Sequence, residues 1–202
     1  TILICCQGSD SAGNSSGSFV WRSTDDGKTF RVIPMGSHAA AGHTNETTFL
    51  EMAPGRILAL SRTDLGWRKV WSKHSGDLVQ RWSEDKGLTW TYPLQADFRG
   101  YPAHLLMLSD GRVLCSYGHR REPMGVRAVL SHDGGETWDR DNTVVLRDDG
   151  GYPSGLKQDS SRWQSDVGYP VSVQLVDDSI LTAYYITESD GITHTAVTRW
   201  EA

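Results

Sequence analysis

Cysteine is scarce in this sequence: Cys5, Cys6 and Cys115 are odd in number, and two of them are adjacent. Such spacing provides no disulfide framework. The chain also lacks an uninterrupted run of about eighteen apolar residues, so no segment qualifies as a membrane-spanning helix. No stretch carries the 3.6-residue apolar period of an amphipathic helix, which excludes a helical solenoid.

Basic residues are not in excess. Lys and Arg number 20 against 25 Asp and Glu, giving a net charge of -5 with the cations scattered. We therefore expect no nucleic-acid partner, although a small anionic substrate needs only a few local arginines. The histidines are scattered without metal-ligand spacing, so neither a metal nor another cofactor is predicted. No signal peptide is visible in the sequence, and the cellular compartment is left open.

What the sequence does contain is an eight-residue pattern, Ser-x-Asp-x-Gly-x-Thr-(Trp/Phe), present three times. The copies are STDDGKTF at residues 23–30, SEDKGLTW at 83–90 and SHDGGETW at 131–138. The Asp carboxylate and the Ser and Thr hydroxyls can bond backbone groups across a turn, while Gly supplies a positive φ. The final aromatic residue is expected to pack between neighbouring sheets. The pattern therefore predicts a hairpin fastener in a repeat protein.

A second repeat predicts the architecture. TFLEMAPGRILALS from Thr48, HLLMLSDGRVLCSY from His104 and VSVQLVDDSILTAY from Val171 align without gaps, each as strand, tight turn and strand. Successive second strands begin at Ile2, Ile57, Val113 and Ile180. Short strands at this period indicate an all-β propeller, with the eight-residue boxes joining the third and fourth strands of each blade.

The same alignment predicts an incomplete ring. Because Thr1 lies where a second strand begins, residues 1–202 form one partial propeller domain of about four blades, starting near residues 1, 45, 101 and 168. Closure typically takes four to eight complete blades. We expect the ring to be completed by N-terminal blades, by a companion chain or by oligomerisation.

Equivalent inner-strand positions provide candidate functional residues. Glu46, Pro102 and Tyr169 occupy matching places in three repeats. In a radial array such positions point toward one axis, so Glu46 and Tyr169 are predicted to converge. A phenol with a pKa near 10 needs a base to become a nucleophile at neutral pH, and Glu46 is the candidate base.

The boxes resemble the Asp boxes of the sialidase superfamily, whose propeller has six blades, and the resemblance covers most of the chain. The segment NETTFLEMAPGRILALSR, residues 45–62, is similar to the sialidase stretch in which a Glu precedes a substrate-clamping Arg by sixteen residues. The resemblance implies these roles for Glu46 and Arg62. A guanidinium suits the clamp because its planar fork binds a carboxylate bidentately.

Two further segments carry the resemblance. SYGHRREPMGVRAVLSHDGGETW resembles the stretch with the next clamp arginine, for which Arg120 is the first choice and Arg121 and Arg127 are alternatives. SDVGYPVSVQLVDDSILTAYY resembles the stretch holding the catalytic Tyr, which matches Tyr169. The position matching Arg62 is here occupied by Tyr185, a departure from a charged residue.

The resemblance implies an exo-glycosidase that removes a terminal acidic, sialic-acid-like sugar from a glycan. The first clamp Arg and the acid/base Asp belong to the N-terminal blades in this family and have no match in this chain. Two alternatives stay open because one fold hosts many functions. One is a hydrolase or lyase acting on an arabinan- or uronate-type glycan, and the other is a non-catalytic propeller that binds glycans or proteins.

Overall fold

A computed structural model describes residues 1–9, 16–35, 43–64, 77–151 and 166–202. These residues form fourteen strands and no helix, as the short apolar alternations predict. In chain order the strands are β1 (Ile2–Ser9), β2 (Ser16–Ser23), β3 (Arg31–Pro34), β4 (His43–Ala53), β5 (Arg56–Asp64), β6 (Asp77–Ser83), β7 (Leu94–Arg99), β8 (Ala103–Met107), β9 (Val113–His119), β10 (Met124–Ser131), β11 (Val144–Gly150), β12 (Val167–Gln174), β13 (Ile180–Thr187) and β14 (Thr193–Trp200). Within the described ranges no helix could cross a membrane.

The strands form four antiparallel sheets of consecutive strands. Their orders are β1-β2-β3, β4-β5-β6-β7, β8-β9-β10-β11 and β12-β13-β14. Strand β1 begins at Ile2 in the place that β5, β9 and β13 hold in their sheets, as the repeat predicted. The first and last sheets each have three described strands, whereas the repeat led us to expect a fourth in the last sheet.

The three Asp boxes share one hydrogen-bond pattern. In the third box the Ser131 hydroxyl donates to Asp133 Oδ1 at 2.8 Å and accepts from the Gly135 N–H at 2.7 Å. The Thr137 N–H donates to Asp133 Oδ1 at 2.9 Å. The first and second boxes repeat these bonds from Ser23 and Ser83. The boxes are therefore turn fasteners that follow β2, β6 and β10, as predicted.

The aromatic residues that end the boxes differ in burial. Trp90 packs against Phe49, with ring centroids 5.6 Å apart, and joins the core between the first two sheets. Phe30 lies 6.2 Å from the Trp21 ring but is 38% exposed, so its burial between sheets is not confirmed. The difference arises because Phe30 packs on a side chain that is itself exposed.

The chain divides into two compact units, Thr1–Arg99 and Gly100–Ala202, each with two sheets. The core of the first unit contains Val20, Ile33, Met35 and Ala59, which come from both of its sheets. The second unit has two clusters between its sheets, and one of them, with Val126, Val167, Tyr184 and Ile186, surrounds the start of β12. Buried and exposed positions alternate along most of β12, whereas six consecutive residues of β9 are buried.

Candidate active site

Glu46 and Tyr169 occupy irregular positions in the first strands of their repeats. On β4 the pairing with β5 shifts register between Asn45 and Thr47, and on β12 the pairing with β13 shifts between Gly168 and Val171. Both residues have positive φ, 39° for Glu46 and 49° for Tyr169. Non-glycine residues rarely adopt this conformation, and strained positions concentrate at functional sites. The equivalence predicted from the repeat therefore extends to an unusual backbone conformation.

In the first unit Glu46 forms an ion pair with Arg62. Arg62 Nη1 donates to Glu46 Oε2 at 2.7 Å, and both side chains are largely buried. The pair results from strand pairing, because Asn45 lies opposite Arg62 and the bulge places Glu46 next to it. The two residues proposed from the sixteen-residue spacing therefore do meet, with the carboxylate bound to the guanidinium.

In the second unit Arg120 follows β9 and is held by three contacts from neighbouring elements. Its Nε donates to the Val167 carbonyl at 2.8 Å, and its Nη2 donates to the Tyr185 hydroxyl at 2.9 Å. Nη2 also lies 3.0 Å from Asp166 Oδ1. The guanidinium carbon is 5.7 Å from the Tyr101 ring centroid. Arg120 is thus anchored to the strand that carries Tyr169, and its charge is balanced by an internal carboxylate.

Tyr185 connects Arg120 to Tyr169. Its hydroxyl donates to Asp166 Oδ2 at 2.8 Å, and its ring stacks on Tyr169 with centroids 5.8 Å apart. Burial, and then the hydrogen bond to Asp166, raise the pKa of Tyr185 well above its ordinary value. Tyr169 is 48% exposed, whereas Tyr185 is less accessible. Of the two stacked phenols, Tyr169 is the one that a ligand in solution can reach.

Two glycines allow the inner strands of the second unit to approach closely. A Cβ on Gly118 would lie 2.3 Å from the Tyr101 carbonyl oxygen and 2.9 Å from Gly168 Cα. Gly168 has φ +152°, and its added Cβ would lie 2.7 Å from the same oxygen. Neither site can hold a larger residue without backbone movement. This contact sets Arg120, after β9, beside Gly168 on β12.

Of the two alternatives to Arg120, Arg127 lies on β10 and Arg121 lies in the turn between β9 and β10. Arg127, on β10, donates from Nη2 to the Pro123 carbonyl at 3.3 Å. Burial, followed by the charges of Arg127 and Arg121, lowers the pKa of His119 to about 4. Arg127 lies on the same sheet face as His119, because it pairs with Tyr117, two residues before His119 on β9. The bonds to Tyr185 and Val167 single out Arg120 as the arginine in contact with the Tyr169 strand.

Asp166 and Tyr101 were not identified from the sequence, and Tyr185 was noted only as a departure. One signal was available: Asp166 precedes Tyr169 by three residues, within the same quoted segment. Its partners Arg120 and Tyr185 lie on other strands, so spacing could not reveal the contact. No cluster of metal-ligating side chains occurs within the described residues.

Comparison with known proteins defines the class of fold. A Dyadobacter fermentans protein of unknown function is 29% identical, and the superposition covers 98% of this chain and 50% of that one, with a TM-score of 0.77. A mutant of the NanB sialidase from Streptococcus pneumoniae is 15% identical over 98% of this chain and 28% of that one, with a TM-score of 0.64. Xylan β-1,4-xylosidase from Bacillus halodurans is 12% identical over 99% of this chain and 37% of that one, with a TM-score of 0.57.

These likenesses show the all-β fold of sialidase-type propellers, which is shared with glycoside hydrolases. The BNR repeat-like domain family matches residues 1–184, and the chain belongs to that family. No curated protein is similar enough in sequence to count as a relative. The chain spans half or less of the length of each compared structure.

Proposed function

We propose that the protein containing this chain is a retaining exo-glycosidase in which Tyr169 is the nucleophile and Glu46 its base. The observation that carries the proposal is the matched pair of positive-φ bulges at equivalent strand positions, one bearing a carboxylate and the other a phenol. Backbone strain of this kind is retained where it aims a side chain at a ligand. Tyr169 is 48% exposed, so a sugar in solution can contact its side chain.

The reaction proceeds in two displacements. In the first, the Tyr169 oxygen forms a bond to the anomeric carbon while its proton passes to Glu46 and the bond to the leaving oxygen breaks. The leaving oxygen takes a proton from an acid that the sialidase resemblance assigns to upstream blades. In the second, water attacks the anomeric carbon and gives a proton to that upstream group, the tyrosyl–sugar bond breaks, and the phenol oxygen recovers its proton from Glu46.

For the substrate we propose a terminal acidic sugar whose carboxylate is bound by Arg62 and Arg120. Both guanidiniums are largely buried, where charge-assisted hydrogen bonds are strong. Each guanidinium already contacts a carboxylate of its own unit, Glu46 for Arg62 and Asp166 for Arg120, and this contact orients the side chain within that unit. Resemblance to the NanB sialidase supports this substrate class.

One observation favours a second candidate, a neutral sugar. Asp166 balances the charge of Arg120. The Val167 carbonyl and the Tyr185 hydroxyl accept hydrogen bonds from Nε and Nη2 of the same guanidinium. Aromatic faces at Tyr169 and Tyr185 provide the kind of surface on which neutral pyranose rings pack. The fold likeness to the Bacillus halodurans xylosidase is compatible with this candidate.

Activity of the complete protein on matched aryl glycosides tests the proposal. Sialosides and neutral glycosides with the same leaving group are compared for wild type, Tyr169→Phe and Glu46→Gln. We expect Tyr169→Phe to abolish hydrolysis and Glu46→Gln to lower it by roughly 10²–10⁴-fold. Tyr92→Phe, a change at an exposed tyrosine of the first unit, is the control that should retain activity.

The pattern of outcomes separates the candidates. Turnover of sialosides supports the acidic-sugar site, and turnover of neutral glycosides alone supports the second candidate. Most of the activity surviving in Tyr169→Phe would remove Tyr169 as the nucleophile. Glycan binding without turnover of either class would refute the enzyme and favour a binding propeller.

A further inference from the structure

The first unit contains a buried cation that the proposed site does not use. Arg81, on β6, is 1% exposed and is among the largest fully buried side chains of the described residues. It pairs laterally with Ala59 on β5, which in turn pairs with Phe49 on β4. Cross-strand partners share a sheet face. Arg81 therefore lies on the apolar face that packs against the sheet of β1, β2 and β3.

Among the described residues, no carboxylate pairs with the charge of Arg81. Within the described part of the chain its single hydrogen bond runs from Nη1 to the Ser61 hydroxyl at 3.4 Å, and Nε and Nη2 are buried without an acceptor. Burial lowers the pKa of Arg81 to about 10, which leaves the side chain charged at neutral pH. An unpaired ion inside a protein costs several kcal/mol. A compensating negative charge is therefore expected.

A row of hydroxyls solvates only one edge of this guanidinium. Thr47 donates its one hydroxyl proton to Ser18 at 3.0 Å, so Ser61 must be the donor in its 2.8 Å contact with Thr47. Ser18 in turn donates to Thr44 at 3.1 Å. The hydroxyl protons all point away from Arg81 and the Ser61 oxygen points toward it. These dipoles favour the cation at Nη1 and supply no acceptor for the opposite edge.

The remaining edge is a two-donor fork. Nε–H and Nη2–H of a guanidinium are parallel, which is the geometry that binds an anion side-on. The indole Nε1–H of Trp90, in the same inter-sheet core, is also buried without a partner. Arg81 and Trp90 thus contribute three buried N–H donor atoms without acceptors. Donors in excess, one uncompensated positive charge and apolar neighbours together describe the environment of a small monovalent anion.

We propose that the Nε–Nη2 edge of Arg81 binds a chloride ion between the first two sheets. A single negative charge balances the single positive one, whereas phosphate or sulfate would bring surplus charge into an apolar layer. The near-complete burial of Arg81 favours a monatomic ion over a larger ligand. The bound ion would stabilise the folded chain and is independent of the proposed glycosidase chemistry.

Thermal unfolding of the full chain at constant ionic strength tests the site, with sodium chloride replacing sodium gluconate stepwise. Above the dissociation constant, the apparent folding equilibrium constant of wild type should rise about tenfold per decade of chloride. Arg81→Met should lose this dependence and should unfold at a higher temperature than wild type in gluconate, because it removes an unpaired buried charge. Arg56→Met removes a partly exposed arginine of the neighbouring strand β5 and should retain the wild-type response.

The outcomes decide the proposal in either direction. Equal wild-type stability in chloride and gluconate, or an undiminished chloride response in Arg81→Met, would overturn it. If Arg81→Met does not fold, wild-type crystals grown in bromide give the answer. Anomalous density in contact with Nε and Nη2 supports the anion site, whereas a water molecule or a protein carboxylate in that place refutes it.

Discussion

Replacing Ser131 by alanine should measure how much an Asp box contributes to stability. The hydroxyl is fully buried, donates to the Asp133 carboxylate at 2.8 Å and accepts from the Gly135 N–H at 2.7 Å. Losing a buried hydrogen-bond acceptor typically costs about 1–3 kcal/mol. Because Asp133 is exposed and can be rehydrated, we expect a loss of about 2 kcal/mol for Ser131→Ala, a large share of a domain's usual margin of about 5–15 kcal/mol.

Urea unfolding followed by tryptophan fluorescence is the assay, with Thr137→Ala as the matched control. Thr137 donates to the other oxygen of Asp133 at 2.5 Å but is exposed, so its removal should cost less than about 1 kcal/mol. The urea concentration at the unfolding midpoint should fall in both variants, while the slope of the unfolding free energy against urea concentration stays constant. A Ser131→Ala loss no larger than that of Thr137→Ala would refute the argument that burial decides the contribution.

Acid provides an internal check on the same box. Burial acts to raise the pKa of Asp133, but the hydrogen bonds from Thr137 and Ser131 outweigh it and lower the pKa from 3.8 to about 2. A carboxyl group whose pKa is lowered in the folded state stabilises the protein at pH values above its unfolded-state pKa. That contribution is lost as the pH falls through the folded-state pKa. The difference between wild type and Thr137→Ala should therefore shrink from pH 4 toward pH 2. A constant difference across this range would contradict the assigned bonds.

Three further predictions concern the second unit. Gly168→Ala should destabilise the unit and displace Tyr169, because its Cβ would lie 2.7 Å from the Tyr101 carbonyl; an unchanged melting temperature would argue against this close approach. Cys115 is fully buried with a raised thiol pKa, so a thiol reagent should modify Cys5 and Cys6 in the native chain and Cys115 only after unfolding. The pKa of His119 is lowered from 6.5 to about 4 in the folded chain. Between these two pH values the unfolded chain binds a proton at this histidine that the folded chain does not, so stability should fall as the pH drops through this range. In His119→Gln that slope should be shallower, and an identical slope would contradict the neutral state of the partly buried imidazole.

Much of the candidate site was predictable because the repeat encodes local geometry. Glu46 and Tyr169 were placed at equivalent positions from the alignment alone, and both have the same rare backbone conformation. The pairing of Glu46 with Arg62 also follows from the hairpin, since the two residues lie on adjacent strands. Convergence of Glu46 with Tyr169 remains a prediction, because they belong to different units of the chain.

The sequence by itself determined the strands, the turns and the Asp boxes. The hydrogen bonds of the Asp boxes join residues at most four positions apart, so spacing and residue type suffice to specify the boxes. Tertiary structure alone decided the surroundings of Arg120 and Arg81. Asp166, just before β12, neutralises Arg120, and Arg81 lies on a buried sheet face where its Nε and Nη2 have no hydrogen-bond partner among the described residues. Such charge balance depends on how sheets pack against each other, and the side chains involved are distant in sequence.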